Sequence, residues 1–385
     1  MLISNRALNV LIAPDKFKGT LTAEAAAKAI AKGWRRARRR DRLELLPITD
    51  GGDGFGAVFG RVLGARLRRS KAVDAAGRDC TAQWWWAARL KTAVIESANV
   101  IGLAMLPAKE YHPFDLDTAG LGQALASISR ASPARCLVGI GGSATNDGGF
   151  GLARAVGWRF FGPRRTPITR WTDLERLESI VPPQTRLPLG ELIVAVDVQN
   201  PLLGPRGATR IYGPQKGLSS RQFGRAEHCL QGLAEVLRAA LGRDFADVPG
   251  AGAAGGLGFG LMAFLGARLE PGFELFSRYS ALDDRLREAD LVITGEGQID
   301  ASTLMGKGVG EIARRCLALR IPCLALAGCL SRATPRDQLF AQTHALTELT
   351  SLEEAKAAPA AWLERSAREA ARHLGPGSLT PKTRC

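Results

Sequence analysis

A chain of 385 residues with 52 Lys and Arg against 37 Asp and Glu carries a formal net charge of +15. Its 46% hydrophobic and 23% charged residues are those of a globular protein, which excludes disorder, a collagen helix or a coiled coil as the main state. No apolar run approaches the ~20 residues that cross a bilayer, and the length predicts two domains or three at about 150 residues each. Gly, at 44 of 385 residues, exceeds its usual share of ~7%. The basic excess is mostly Arg, since only 11 of the 52 cations are Lys. A coding bias accounts for that as readily as an acidic partner does. Residues 1–9 hold one charge and no apolar core of signal-peptide length, so secretion is not expected. The seven Cys form no CxxC pair and the four His lie far apart. No zinc spacing exists, and the set reads as reduced cytoplasmic thiols.

In chain order, Val10 to Asp15 is a short apolar run ending in Pro-Asp, a buried strand that delivers polar residues at its C-terminal end. After the loop 16–20, Thr22 caps a helix over about 23–36, with Glu24 in the first turn, where the positive helix end favours it. A second strand over 43–48 ends in Thr49-Asp50-Gly51-Gly52-Asp53-Gly54 and leads into a helix over 55–63. Strand, loop and helix repeated in this way signal a parallel α/β sheet. The pattern changes between 73 and 98. Segments 81–88, with Trp84-Trp85-Trp86, and 92–96 read as a strand pair, which places a domain change near Lys71. Buried-strand runs follow at 136–140 and 192–196. The first grammar resumes at 290–294 and 323–328, so the two ends of the chain are expected to share one domain with the middle inserted. This divides the chain into 1–71 with 281–385, and 72–280. The tail after Gly375 is polar and reads as disordered.

The glycines concentrate in four segments: 50–54, 139–149 (GIGGSATNDGG), 249–260 (PGAGAAGGLGFG) and 294–307 (TGEGQIDASTLMGK). Gly-rich turns let backbone N–H groups approach an anion, and a following helix N-terminus adds positive potential. Ser143, Asn146, Gly252, Gly255, Gly256, Thr294 and Gly295 are the phosphate- or substrate-binding candidates within them. Gly250, Gly252 and Gly255 satisfy GxGxxG, but Pro249 and no clear strand precede them, so the dinucleotide fingerprint fails its context. No GxxxxGK[ST] occurs: Lys307 follows Gly306, but Ala301 and Gly308 break the pattern. Carboxylates recur at strand ends, at Asp15, Asp50, Asp53, Asp147, Asp197, Glu296 and Asp300. That edge of an open α/β sheet is where ligands bind. Beside phosphate loops, acids make sense as Mg²⁺ ligands or as a base that removes a hydroxyl proton. Lys16, Lys18, Lys216 and Lys307 follow the same map and suit a transferring phosphoryl group. Arg206, Arg210 and Lys216 flank the turn 204–209 and could clamp a carboxylate or phosphate. Read together, these residues point to phosphoryl transfer onto a small polar acceptor.

The segments IAPDKFKGTLTAEAAAKAI (12–30), ITDGGDGF (48–55), VGIGGSATNDGGFGLARAVGWRF (138–160), VAVDVQNPLLGPRGATRIYGPQKG (194–217), DVPGAGAAGGLGFGLMAFLGARLEPG (247–272) and ADLVITGEGQIDASTLMGKGVGEIA (289–313) occur in one order over most of the chain. In them the sequence resembles the bacterial type I glycerate kinases. The resemblance implies an α/β fold of two domains. One would be Rossmann-like, with a parallel sheet built from both chain ends, the other an inserted α/β domain, with the active site in the cleft between them. It further implies ATP and Mg²⁺ as cofactors, D-glycerate as substrate and 2-phosphoglycerate as product. Within this reading Asp197 is the first candidate for base or metal ligand and Asp147 the second, with Lys18 the catalytic cation. Glu296 and Asp300 are further metal candidates. Lys16, Asp53, Ala119 and Leu121 in the turn 117–122, and Gly308 with Val309 depart from the family pattern, which leaves another small hydroxy acid open as the acceptor, or a weakened homologue with a binding role. A rival of another class, a nucleic-acid binder, rests on the basic run 34–42 and the three Trp; a helix-end charge run and a core stripe are the plainer readings. No membrane and no specific nucleic acid are expected as partners, and homo-oligomerisation stays open.

Overall fold

The structure is a computed structural model that describes residues 6–108, 110–304, 308–331 and 339–374. Its strands are β1 (Asn9–Pro14), β2 (Arg42–Leu45), β3 (Arg66–Val73), β4 (Asp79–Ala87), β5 (Thr92–Glu96), β6 (Arg135–Gly139), β7 (Arg159–Phe161), β8 (Ser179–Val181), β9 (Glu191–Ala195), β10 (Arg268–Glu270), β11 (Leu291–Ile299), β12 (Cys323–Leu330) and β13 (Gln342–Ala345). Every apolar run expected to be a strand is one. The chain divides into two compact units, one of residues 1–50 with 273–385 and one of 51–272.

The first unit holds a five-stranded sheet in the order β13-β12-β11-β1-β2, parallel throughout. Counted along this unit's own chain, the order is 2-1-3-4-5, a doubly wound sheet whose strand order reverses between β1 and β11. Helix α1 (Ala23–Ala37) connects β1 to β2, and Thr22 Oγ1 accepts the Ala25 N–H at 3.1 Å as its cap. Its small residues suit close packing: an added Cβ at Gly33 would overlap the Glu364 carbonyl of helix Pro359–Arg372. Val10 and Ile12, with Ala26, Ile30, Trp34 and Leu363, form the core on that face. Part of the basic run at the end of α1 is paired within the unit. Trp34 Nε1 donates to Asp41 Oδ2 at 2.9 Å, Arg38 pairs with the same carboxylate, and Lys32 and Arg36 pair with Glu364.

One expected loop is instead strand. β11 continues through Thr294-Gly295-Glu296-Gly297 to Ile299, in register with β12 as far as Leu330. The glycines permit this, because a Cβ on Gly295 would overlap the Leu326 carbonyl of the neighbouring strand.

The second unit carries a six-stranded sheet in the order β10-β9-β6-β5-β4-β3. β10 to β5 are parallel, while β4 and β3 turn antiparallel. The pair expected at 81–88 and 92–96 is β4 and β5. The domain change near Lys71 is corrected to Asp50/Gly51. β3, an unexpected strand, pairs along its whole length with β4, and helix α2 (Phe55–Val62) packs on β4 through Gly56 and Gly60, where an added Cβ would overlap the Trp85 ring. The second boundary falls at Gly272/Phe273 rather than near 280. On the other face of β4, Trp84 is buried and meets Trp86 edge-on at 6.4 Å. Trp84 lies in the core, Trp86 packs half-buried against it, and Trp85 packs on α2.

Candidate functional site

In the first unit the switch point between β1 and β11 gathers the acids. The register pairs Pro14 with Gly295, and the Asp15 N–H donates to the Gly295 carbonyl at 2.8 Å. Asp15 therefore leaves the end of β1 beside Glu296, which lies within β11. An added Cβ on Gly308 would sit 3.7 Å from Asp15 Oδ2, which places this carboxylate at the start of helix Gly308–Leu319. Burial pushes the Asp15 carboxyl up to about 7 and Asp50 adds to the rise, with a smaller push from Glu296; Lys16 and its N–H, donating to Asp15 Oδ1 at 2.7 Å, pull the other way. Thr303 Oγ1 donates to Glu296 Oε1 at 2.8 Å and accepts the Asp300 N–H at 3.2 Å, so Glu296 and Asp300 are tied through one hydroxyl. Lys18 is exposed, and Gly297 lies against its backbone. Thr294 is buried and donates to the Ala13 carbonyl at 2.8 Å, holding β11 to β1. Lys307 lies outside the described residues.

In the second unit, loop 140–149 follows β6 and packs against the turn that opens helix Ala253–Leu265. The approach requires glycine. Gly255 and Gly256 have φ of +74° and +84°, and a Cβ on Gly255 would come within 2.7 Å of Lys216 Nζ and overlap the Thr145 carbonyl. A Cβ on Gly252 would overlap the Pro201 carbonyl. The three glycines read as phosphate-binding thus serve first to pack these loops together. Ser143 Oγ and Thr145 Oγ1 share a hydrogen bond of 2.8 Å, and Asn146 Nδ2 donates to Thr209 Oγ1 at 3.0 Å.

Asp147 is fully buried and accepts four hydrogen bonds. These come from the Thr118 N–H and hydroxyl at 2.9 and 2.8 Å, from the Gly151 N–H at 2.9 Å and from the Gly149 N–H at 3.2 Å. It joins the starts of helices Ala119–Ser129 and Phe150–Ala155. Burial pushes its carboxyl up to about 6, with Asp117 adding, against the pull of the Gly151 and Thr118 donors. Lys216 ends helix Ala208–Lys216 and points inward, its Nζ donating to the Thr145 carbonyl. Burial pushes the Lys216 ammonium down to about 7, opposed by Asp147. The 117–122 departure from the family pattern is therefore a helix start whose Thr118 holds Asp147.

Asp197 lies just beyond β9, is exposed, and accepts the Gly272 N–H at 2.9 Å. Asp53 is exposed beside Gly142, and Gly51, with φ of +96°, rests on Ala195 at the end of β9. Arg206 is exposed, its carbonyl accepting from Asn200 Nδ2 at 2.7 Å, and Arg210 pairs with Glu227 at 3.5 Å. Sequence reasoning missed Glu96. This acid ends the apolar strand β5 and accepts from the Gly54 and Gly56 N–H groups at 2.9 and 3.0 Å. A single carboxylate closing an otherwise apolar run was the signal for it.

Acids at a doubly wound switch point and a Gly-rich loop at the end of a parallel strand of the second sheet are the equipment of a phosphotransferase. The sequence model of the Glycerate kinase family matches residues 10–375. A glycerate kinase of Halalkalibacterium halodurans is 38% identical over 370 residues, 94% of this chain and 97% of that protein. A glycerate 2-kinase of Escherichia coli is 36% identical over 84% of this chain and 86% of its own length. A crystal structure assigned to glycerate kinase 2 of Salmonella typhimurium LT2 superposes with a TM-score of 0.81 at 31% identity, covering 95% of this chain and 98% of that one. The chain belongs to the glycerate kinase family, and it is a kinase that phosphorylates an alcohol group. Membership of a kinase family implies the use of ATP. Among the described residues no helix is long and apolar enough to cross a membrane.

Proposed function

We propose that this enzyme transfers the γ-phosphoryl group of ATP, with Mg²⁺, to the 2-hydroxyl of D-glycerate, giving 2-phosphoglycerate and ADP. The observation that carries the reading is near full-length similarity to glycerate kinases, one of them named a 2-kinase. Asp197, exposed at a strand end, takes the hydroxyl proton as the hydroxyl oxygen bonds to phosphorus and the bond to ADP breaks. Lys18, Lys16, Lys307 and Arg206 supply positive charge for the phosphates and the glycerate carboxylate. Ser143, Asn146 and the 50–54 turn, with Asp50 and Asp53, orient the acid. The four donors to Asp147 support a role in holding loop 140–149 rather than in proton transfer.

The acids suit Mg²⁺. They offer hard oxygens, and Asp15 is half-buried with Asp50 and Glu296 raising its pKa, where a cation relieves repulsion. Among the described residues no three His, Cys, Asp or Glu side chains gather into a closed metal site; Mg²⁺ takes only one or two carboxylates beside substrate phosphates. Glu296 and Asp300 are its proposed ligands, which leaves Asp197 as the base. When bound, the ion neutralises charge on the phosphates.

The test is ATP consumption over a panel of small hydroxy acids, with the position of the new phosphate read by NMR. Turnover with D-glycerate and phosphate on C2 is expected. Turnover with a different hydroxy acid alone would transfer the reading to that acid, and none with D-glycerate would overturn it.

A further inference from the structure

Helix α2 begins without a cap of its own. Its N-cap residue Gly54 lies in the left-handed region, with φ of 92°, and makes no side-chain hydrogen bond. The first N–H groups of a helix need acceptors. Here they find one 42 residues along the chain. Glu96 is 3% exposed, and its two carboxylate oxygens divide between the Gly54 N–H at 2.9 Å and the Gly56 N–H at 3.0 Å. A carboxylate at a helix N-terminus gains from both the charge-assisted bonds and the helix dipole.

The segment held in this way is the 51–54 turn. Gly51 rests on Ala195, and its carbonyl accepts the Gly141 N–H at 3.3 Å. A Cβ on Gly141 would come within 2.6 Å of Gly52 Cα, and one on Gly142 would overlap Asp53 Oδ1. The next residue along β5 reaches the same loop, since the Ser97 N–H donates to the Gly139 carbonyl at 2.8 Å. The end of β5 therefore fastens the turn carrying Asp53 at one side and the start of the Gly-rich loop 140–149 at the other. We propose that Glu96 is a positioning residue for phosphoryl transfer, fixing the 51–54 turn and Asp53 against loop 140–149 without itself touching substrate. The proposal rests on the kinase reading above for its activity arm only.

Glu96→Gln keeps the side-chain size but turns an NH₂ toward one of the two N–H groups. In a variant folded by circular dichroism, kcat for D-glycerate is expected to fall about 10- to 100-fold, with KM for ATP within about 3-fold of wild type. Hydrogen exchange in a peptide covering 50–58 is expected to quicken about 10-fold as the cap is lost. Because the loss runs through the turn, Glu96→Gln combined with Asp53→Asn should be within about 3-fold of Asp53→Asn alone. Unchanged exchange, wild-type kcat, or losses that multiply in the double variant would each overturn the proposal. If Glu96→Gln does not fold, Glu96→Asp is read by the same measurements, with a smaller loss expected. If the wild-type enzyme turns over no hydroxy acid, the glycerate reading fails, and the exchange result still decides whether Glu96 holds the turn.

Discussion

Lys216 shows what a residue's neighbours add to its sequence context. Beside a Gly-rich turn it reads as a phosphate ligand. In the fold it is 6% exposed, with its Nζ on the Thr145 carbonyl and in the space a Gly255 side chain would fill. Burial holds its pKa near 7 against 10.5 for the free side chain. Between those values the unfolded chain binds a proton that the native state does not. Native stability therefore rises with pH across this window, at up to about 1.4 kcal/mol per unit. Lys216→Met lacks the titrating group. The stability of wild type minus that of Lys216→Met, from urea unfolding, is expected to grow by about 2 kcal/mol between pH 7 and pH 9. A difference independent of pH would mean that Lys216 keeps its proton in the fold. Asp147 teaches a similar lesson, since its four donors come from residues 118, 149 and 151 and only the tertiary fold brings residue 118 to it.

Among the elements, those with a local pattern were legible: the apolar runs of β1, β6, β9 and β12, the Thr22 cap of α1, and the β4–β5 pair. β3 was not. Its sequence, RLRRSKAV, has no apolar alternation, because among the described residues it is an edge strand beside β4 and largely exposed. Such basic edges also discourage pairing with other chains. β11 was cut short because its glycines read as a loop, whereas they let β12 approach. The Trp stripe was legible as core, but not the groove that receives it. Gly56 and Gly60 on α2 form that groove for Trp85. Gly56→Ala gains about 1 kcal/mol of helix propensity but forces a methyl into the indole, an overpacking cost of about 1–3 kcal/mol. A net loss of up to about 2 kcal/mol is expected in urea unfolding, with most of it recovered in Gly56→Ala/Trp85→Leu relative to Trp85→Leu alone. A raised unfolding midpoint for the single variant would contradict the packing argument.

At the scale of the molecule, the charge proves less informative than its magnitude suggests. Part of the Arg pairs with acids of the same chain, as in Arg315, which bridges Glu274, Asp283 and Glu311. The discontinuous first unit was legible because both chain ends share one strand–helix grammar. The strand order was not, because sheet order is set by pairing between distant segments: β1 takes β11, from more than 270 residues away, as its neighbour. This topology makes the two units unequal as folding problems. Residues 51–272 are one continuous stretch with their own six-stranded sheet and two hydrophobic cores, one under the sheet and one around Phe150, Trp171 and Phe259. Residues 1–50 cannot close their sheet without β11 to β13. A fragment of 51–272 expressed alone is therefore expected to show a cooperative thermal transition and the helix and strand content of the unit by circular dichroism, whereas a fragment of 1–50 is expected to stay unfolded. The two fragments of the first unit, 1–50 and 273–385, should gain structure only when mixed. A non-cooperative melt for 51–272 would show that the division by compactness is not a division by folding.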